Sequence, residues 1–157
     1  MSKITTFLWF DTEAEEAAAF YVGLIPNSKL GAVARYGEAG PGPAGRVMTV
    51  AFELDGRPFV ALNGGPQYKF SEAVSLQIAC EGQAEIDRYW EALTVGGGEA
   101  GPCGWLKDRF GLSWQVTPAN MPELIGGPDA AAAQRAMQAM FKMKKLDIAA
   151  LEAARAA

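Results

Sequence analysis

Few residues in this chain could do chemistry, since its 157 residues include no histidine and only two cysteines, Cys80 and Cys103. Without histidine, Ser/His/Asp and Cys/His catalysis and imidazole-based zinc sites are excluded, so any general base is Asp, Glu, Lys, Tyr or Cys. The two cysteines form neither a disulfide framework nor a CxxC motif. Cys103 is the candidate catalytic nucleophile, with Lys107 and Arg109 nearby to favour a thiolate. A buried, inert thiol is nevertheless the favoured interpretation.

Polar side chains that alternate with apolar ones indicate a second candidate site. In strands, successive side chains point to opposite faces, and the more apolar face should pack under helices with Phe7, Trp9, Leu76, Ile78 and Trp114. The other face, which includes Ser113, should line a concave pocket. The ligand-pocket candidates are Thr6, Leu8, Phe10, Ser75, Gln77, Trp105 and Gln115. The alternative that Gln77 and Gln115 satisfy each other inside a closed barrel stays open.

Two pairs of neighbouring residues have structural explanations that compete with functional ones. Asp108 and Arg109 are typical of a turn rather than of a catalytic pair. Lys69 and Phe70 could flank an anionic ligand, but a solvated linker is the favoured interpretation.

A strand–helix unit positions the first candidates. Ile4–Phe10 is a short apolar run, and Thr12 with Glu15 has the capping-box pattern that begins a helix. Pro26 prevents that helix from running much further. Its apolar stripe consists of Ala17, Phe20, Tyr21 and Leu24.

The same unit recurs later in the chain. Val74–Cys80 leads into a second amphipathic helix, and each of its apolar positions lies 69 residues after its counterpart: Ile86, Tyr89, Trp90 and Leu93. Self-similarity at one offset indicates a duplication. Chance likeness between two ordinary amphipathic helices is the alternative.

Further strands complete each copy of the repeat. They are predicted at Lys29–Tyr36, Arg46–Leu54, Phe59–Asn63, Gly104–Lys107 and Ser113–Thr117, with a hairpin turn at Asp55-Gly56. Both halves then have the order β-α-β-β-β. We expect a single domain over residues 1–157, with a first module at 3–64, a second module at 73–118 and C-terminal helices at 119–157.

The segment beyond Pro118 predicts helices that are an appendage to the repeat. Asp129 and Asp147 are expected to cap two of them, and Leu146 and Leu151 occupy hydrophobic-staple positions. A stripe that suits core or subunit contacts consists of Ala133, Met137, Met140, Phe141 and Lys144.

Composition excludes several classes of protein. The chain has 14 basic and 18 acidic residues, a net charge of −4 and no basic stripe, which argues against nucleic acid as a partner. No apolar run approaches the roughly 20 residues that span a bilayer, and Met1–Ile4 lacks signal-peptide character. A cytoplasmic protein that does not bind membranes is expected.

Several motifs carry a resemblance to a known family. They are Phe7-Leu8-Trp9-Phe10-Asp11, Ala14-Glu15-Glu16-Ala17, Phe20-Tyr21, Phe59-Val60-Ala61-Leu62-Asn63-Gly64-Gly65 and Cys103-Gly104-Trp105-Leu106-Lys107-Asp108-Arg109-Phe110-Gly111. With two βαβββ modules, the chain resembles the PhnB-like branch of the vicinal-oxygen-chelate superfamily, which includes glyoxalase I, extradiol dioxygenases and bleomycin-resistance proteins. The resemblance implies an α+β fold whose tandem modules form a barrel or cleft, followed by a C-terminal helical extension.

The resemblance also implies positions for a divalent metal, which superfamily members commonly bind. These positions fall on Thr6, Val60, Ser75 and Gln115, of which only Gln115 resembles a ligand. One amide oxygen does not hold Zn, Fe or Mn against water, so no metal and no cofactor are predicted. A slip of one residue selects Phe7 or Phe59 instead and adds no ligand.

PhnB-like proteins often carry the description 3-demethylubiquinone-9 3-methyltransferase. Most S-adenosylmethionine enzymes place a glycine-rich turn between a strand and a helix, whereas Gly96-Gly97-Gly98 follows a helix here. The sequence therefore does not support methyl transfer, and whether the protein is an enzyme stays open.

The leading hypothesis is a metal-independent protein that binds an aromatic or amphipathic small molecule between its modules and forms a homodimer, as relatives do. One alternative is an enzyme of the lyase or isomerase type, using a carboxylate or Cys103, or the methyltransferase of the family description. Another is an interaction protein that uses its C-terminal helices.

Overall fold

The computed structural model of the protein describes residues 2–157. The chain forms two units, the first ending at Phe70 and the second running from Ser71 to Ala157. Their boundary lies between the predicted modules, which are residues 3–64 and 73–118. Each unit contains a four-stranded sheet. Within the described residues, no helix has the length and apolar character that crossing a membrane requires.

The first unit has the predicted succession of a strand, a helix and three strands. Its elements are β1 (Thr6–Phe10), α1 (Ala14–Leu24), β2 (Lys29–Arg35), β3 (Val47–Leu54) and β4 (Arg57–Asn63). The sheet order is β1-β4-β3-β2, with β1 parallel to β4 and the other pairs antiparallel. The turn between β3 and β4 is the predicted one, because Asp55 and Gly56 have φ values of 48° and 75°, as a type I′ turn requires.

The core of the first unit lies between α1 and one face of the sheet. Tyr21 of α1 is fully buried and lies against Phe52, with ring centroids 6.5 Å apart. Phe52 stacks on Phe59 at 5.3 Å, and Phe59 pairs with Thr6 of β1. Since paired residues point to the same side of a sheet, Thr6 and every second residue after it face the helix.

The predicted faces of β1 are therefore reversed in the structure. Leu8 and Phe10 are buried on the helix side, whereas Phe7, on the opposite face, is 61% exposed. Trp9 shares the face of Phe7 and is half-buried. Because both faces of β1 carry large apolar side chains, alternation of hydrophobicity does not tell them apart.

Helix α1 begins differently from the predicted capping box. The Asn63 side chain at the end of β4 accepts a hydrogen bond of 2.8 Å from the backbone N–H of Ala14. Its Nδ2 donates to the Val47 carbonyl at 3.1 Å. The capping residue by position is Glu13, and Thr12 makes no capping hydrogen bond. A strand of the same unit thus satisfies the helix terminus.

The second unit repeats the topology of the first. Its sheet elements are β5 (Ser75–Cys80), α2 (Gln83–Thr94), β6 (Glu99–Ala100), β7 (Trp105–Lys107) and β8 (Ser113–Pro118). The sheet order β5-β8-β7-β6 matches β1-β4-β3-β2, with β5 parallel to β8. This agreement supports the predicted duplication. The strand that the sequence left unplaced is β6, within the glycine-rich stretch after α2.

The two copies are not related by a single offset of 69 residues. The last residues of β1 and β5, Phe10 and Cys80, are 70 apart, and both are buried on the helix side. On the helices, Ala17 and Ile86 are both fully buried and keep the offset of 69 residues. An offset wrong by one residue exchanges the faces of a strand. This explains why the predicted faces hold for β5 and fail for β1.

The C-terminal helices follow the repeat as the predicted extension, and they lie within the second unit. They are α3 (Met121–Ile125), α4 (Ala130–Met140) and α5 (Ile148–Ala156). The side chains of Asp129 and Asp147 cap α4 and α5, as predicted, and accept hydrogen bonds of 3.0 Å. Leu146 and Leu151 are fully buried.

The C-terminal segment is hydrogen-bonded to the loop before β7 of the second sheet, and its helix α4 buries a different face from the predicted one. The backbone N–H groups of Cys103 and Gly104 donate to the carbonyls of Met143 and Lys144 at 2.9 and 2.8 Å, which ties the segment before α5 to the loop before β7. The buried positions of α4 are Ala132 and Ala136. The predicted stripe of Ala133, Met137, Met140, Phe141 and Lys144 is therefore not the core face of α4.

Candidate functional site

The amide face is the side of the second sheet opposite α2, and it consists of Ser75, Gln77, Trp105, Lys107, Ser113, Gln115 and Thr117. The residues that alternate with these along the strands point to the α2 side of the sheet. Among them, Trp114, Val116 and Cys80 are buried. Register aligns Gln77 of β5 with Gln115 of β8, and Gln115 with Trp105 of β7. Ser75, Gln77 and Gln115 therefore lie on one face, as strand alternation predicts, and the fourth pocket candidate of the second module, Trp105, lies on the same face.

The two amides of this face bond to hydroxyl groups rather than to each other. Gln77 Nε2 donates to Thr117 Oγ1 at 3.1 Å, and Gln115 Nε2 donates to Ser75 Oγ at 3.0 Å. Each amide has two N–H groups and a carbonyl oxygen. One N–H and the oxygen of each amide are therefore left to meet solvent or a ligand. Gln77 is exposed, and Gln115 and Trp105 are half-buried.

A second row runs beside the amides. Ser113 of β8 pairs with Ser75 on one side and Lys107 on the other. Ser113 is only 1% exposed, and its Oγ is the one buried side-chain N or O atom without a hydrogen-bond partner in the described chain. Buried hydroxyl groups normally have partners. The Ser113 hydroxyl is therefore unusual, because it is buried and has no hydrogen-bond partner.

Lys107 ends that row in an ion pair with Glu72, which precedes β5. The hydrogen bond and the charge of each partner raise the pKa of Lys107 and lower the pKa of Glu72. Both side chains are substantially exposed, so the pair contributes little to folding stability.

Sequence reasoning put Ser113 on this face by alternation but did not include it among the site residues. Its distinguishing feature, a buried hydroxyl without a partner, depends on tertiary packing. Glu72 gives no signal in the sequence, since nothing in its loop position predicts a contact with Lys107.

Cys103 lies just before β7 in the left-handed region, with φ of 57°, and is half-buried. Its backbone N–H holds the C-terminal segment through Met143. This placement gives Cys103 a structural role through its backbone. It supplies no base for nucleophilic chemistry.

Asp108 is the centre of a turn, as predicted. Its carboxylate is buried and accepts hydrogen bonds from the backbone N–H groups of Phe110 and Leu112 at 2.8 and 3.1 Å. The buried indole of Trp114 donates to the other carboxylate oxygen at 2.9 Å. The carboxylate thus holds together the loop that joins β7 and β8.

In the first unit, the face opposite α1 is mainly apolar. Phe7 pairs with Val60, and Trp9 contacts Tyr68 edge to face at 4.9 Å. The indole N–H of Trp9 donates to the Gly65 carbonyl at 2.9 Å. Since Thr6, Leu8 and Phe10 lie on the other side of β1, the three pocket candidates of the first module do not share this face.

The positions that the family resemblance assigns to a divalent metal do not fit one. Thr6 points to the helix side of β1 and Val60 to the opposite side, so they do not converge. Ser75 and Gln115 supply a hydroxyl and an amide that already bond to each other. Among residues 2–157, no group of three or more His, Cys, Asp or Glu side chains is placed to hold a metal ion.

Comparison with known proteins identifies the family. The model of the family described as 3-demethylubiquinone-9 3-methyltransferase matches residues 2–117. The chain is 37% identical to the PhnB protein from Bacillus cereus, a candidate 3-demethylubiquinone-9 3-methyltransferase, with a TM-score of 0.66 over 75% of this chain and 100% of that one. None of the curated proteins matches.

Two other solved structures share the fold. Protein PA1353 from Pseudomonas aeruginosa is 23% identical with a TM-score of 0.60, over 75% of this chain and 98% of that one. A mutant of the fosfomycin resistance protein FosX from Listeria monocytogenes, complexed with Mn(II), is 16% identical with a TM-score of 0.50. The match covers 78% of this chain and 97% of that one. The chain therefore belongs to the 3-demethylubiquinone-9 3-methyltransferase family of PhnB-like proteins, and it has the vicinal-oxygen-chelate fold.

Proposed function

We propose that the protein binds a small aromatic molecule on the amide face, without a metal ion. The observation that carries this proposal is the row of Gln77, Gln115 and Trp105 on three neighbouring strands. A planar indole beside two partly unsatisfied amides suits a ligand that has both a ring and polar groups.

The chemistry of the row indicates what it would recognise. Trp105 offers a stacking surface for an aromatic ring. Each free amide edge offers one donor and one acceptor, which pair with a carboxyl, amide or phenol group of a ligand. The bonds from Gln77 to Thr117 and from Gln115 to Ser75 hold both amides in place before binding, which lowers the entropy cost of association.

Calorimetric titration of the full chain with a panel of aromatic acids, amides and phenols tests the proposal. Gln77→Met, Gln115→Met and Trp105→Leu should each weaken binding about tenfold, the effect of losing one good contact. Gln138→Met is the matched control, since this glutamine is exposed on α4. Binding that all four variants leave unchanged would place the ligand elsewhere.

The metal-free part needs its own measurement. Binding should be the same with EDTA and with added Mn²⁺ or Zn²⁺, because the available oxygen ligands are too few for either ion. S-adenosylmethionine belongs in the panel, and its tight binding would instead favour the methyl transfer that the family description names. Light scattering on the same sample tests the predicted homodimer.

A further inference from the structure

We propose that the row of Ser75, Ser113 and Lys107 is a subsite for the carboxylate of an aromatic acid whose ring lies on Trp105. This inference rests on the proposed function and names the class of its ligand. Three neighbouring strands present these side chains in register, next to the row of Gln77, Gln115 and Trp105.

All three side chains of the row can donate a hydrogen bond to an anion. Ser113 Oγ is buried without a partner, and a buried donor left unpaired costs free energy that an entering acceptor would recover. Ser75 Oγ already accepts from Gln115 Nε2, so its own proton is available. Lys107 adds a positive charge, and hydrogen bonds from charged donors to carboxylates are among the stronger ones in proteins.

Lys107 already binds a carboxylate, that of Glu72 from its own chain. Glu72 is exposed and stands in the loop before β5, where no strand pairing restrains it. Exposed ion pairs contribute little free energy, so a ligand carboxylate could displace Glu72 at small cost. Glu72 would then act as an internal competitor for the subsite.

The spacing of the two rows defines the length of the ligand. Lys107 and Trp105 are two residues apart on β7, which corresponds to about 6.6 Å along a strand. A ring and a carboxylate joined by a short alkyl spacer cover that separation. 3-Phenylpropionate is such a compound, and 3-phenylpropionamide is its uncharged analogue of nearly the same shape.

Calorimetric titration of the full chain with these two compounds tests the subsite. The acid should bind at least about tenfold more tightly than the amide, the effect of one charge-assisted hydrogen bond. Ser113→Ala and Lys107→Met should each remove most of this preference, because they should weaken binding of the acid far more than binding of the amide. Glu72→Gln should tighten binding of the acid by removing the competitor.

Lys29→Met is the matched control, because Lys29 forms an exposed ion pair with Glu53 in the first unit. It should leave the affinity of both compounds unchanged. Circular dichroism checks that each variant folds. If Ser113→Ala does not fold, the exposed pair of Lys107 and Glu72 still decides the outcome.

The outcomes separate this inference from the proposed function. Equal binding of acid and amide, both weakened by Gln115→Met, would overturn the subsite and leave the proposed function intact. A preference for the acid that survives Lys107→Met would also overturn the subsite. Failure of both 3-phenylpropionate and 3-phenylpropionamide to bind would overturn the carboxylate subsite. Binding of another member of the aromatic panel, weakened by Gln115→Met, would still support the proposed function.

Discussion

The buried carboxylate of Asp108 accepts a hydrogen bond of 2.9 Å from the indole Nε1 of Trp114, which is buried beneath the second sheet. Trp114 lies between Ser113 and Gln115 on β8, and those two side chains point to the opposite, amide face. The bond therefore fixes the strand whose other side carries the proposed site. Since the same carboxylate also holds the turn after β7, it links both strands of that site.

Asp108→Asn should lower the free energy of unfolding by about 2 kcal/mol. An asparagine could keep its oxygen toward the N–H groups of Phe110 and Leu112, but its NH₂ group would then face the indole N–H of Trp114, donor against donor. Urea denaturation measures the loss. Asp11→Asn is the control, because Asp11 is exposed. A double variant with Trp114→Phe should recover part of the loss, and a purely additive result would contradict this explanation.

Asn63→Ala should destabilise the protein by about 1–2 kcal/mol, because the Ala14 N–H and the Val47 carbonyl would each lose a hydrogen bond to the Asn63 side chain. Thr12→Ala should change stability by less than about 0.5 kcal/mol, since the Thr12 side chain caps nothing. Comparing the thermal denaturation of the two variants shows whether Asn63, as in the structure, or Thr12, as the sequence pattern predicts, caps helix α1. A larger effect at Thr12 than at Asn63 would show that the capping box forms after all.

Local sequence patterns predict the elements of this fold but not all of their faces. The Asp55-Gly56 turn and the caps at Asp129 and Asp147 were predictable because each depends on residues within one turn of chain. The cap on Ala14 comes from Asn63, 49 residues away, and no local pattern encodes it. Long-range partners of this kind appear only once the sheet is paired.

In the candidate site, too, some features follow from local sequence and others depend on tertiary packing. In β5, polar Ser75 and Gln77 alternate with apolar residues, so that the pattern identifies the exposed face correctly. In β1, Phe7 is as apolar as Leu8, so the pattern carries no such information. Ser113 could be placed on the face but not recognised as a buried donor without a partner, because that property depends on packing.

Gly104→Ala should lower the free energy of unfolding by about 3 kcal/mol. Gly104 has φ of 84°, and an added Cβ would lie 2.9 Å from both Leu146 Cδ1 and the Val116 carbonyl oxygen. The substitution would therefore strain the backbone and push the C-terminal segment from the sheet. Calorimetric melting of the full chain measures the effect.

Gly111→Ala is the matched control for this prediction. Gly111 has nearly the same φ, 88°, but an added Cβ would meet nothing within 4 Å. It should cost only the backbone strain, about 1 kcal/mol. Equal losses in the two variants would mean that the contact between Gly104 and Leu146 contributes nothing.

The buried thiol of Cys80 should make the stability of the protein depend on pH. Burial raises the pKa of its thiol to about 11, with the charge of Glu85 adding to the effect and that of Arg88 opposing it. Burial also raises the pKa of the neighbouring Tyr89. Between the ordinary thiol pKa of 9.0 and about 11, Cys80 ionises in the unfolded chain and stays protonated in the folded one. The unfolded state then binds fewer protons, so that stability should fall as pH rises through this window.

Cys80→Ala should make the free energy of unfolding less dependent on pH between 9 and 11 than in the wild type, as urea titrations across this range would show. Tyr89→Phe is the companion variant, because it removes the other buried acid of this cluster and should flatten the same window further. Thiol labelling at about pH 8, just below the ordinary thiol pKa, gives an independent test. Cys103 is half-buried and should react in the folded protein, whereas Cys80 should react only in denaturant. Rapid labelling of Cys80 in the native state, or an unchanged pH dependence in Cys80→Ala, would show that this thiol is not held in the core.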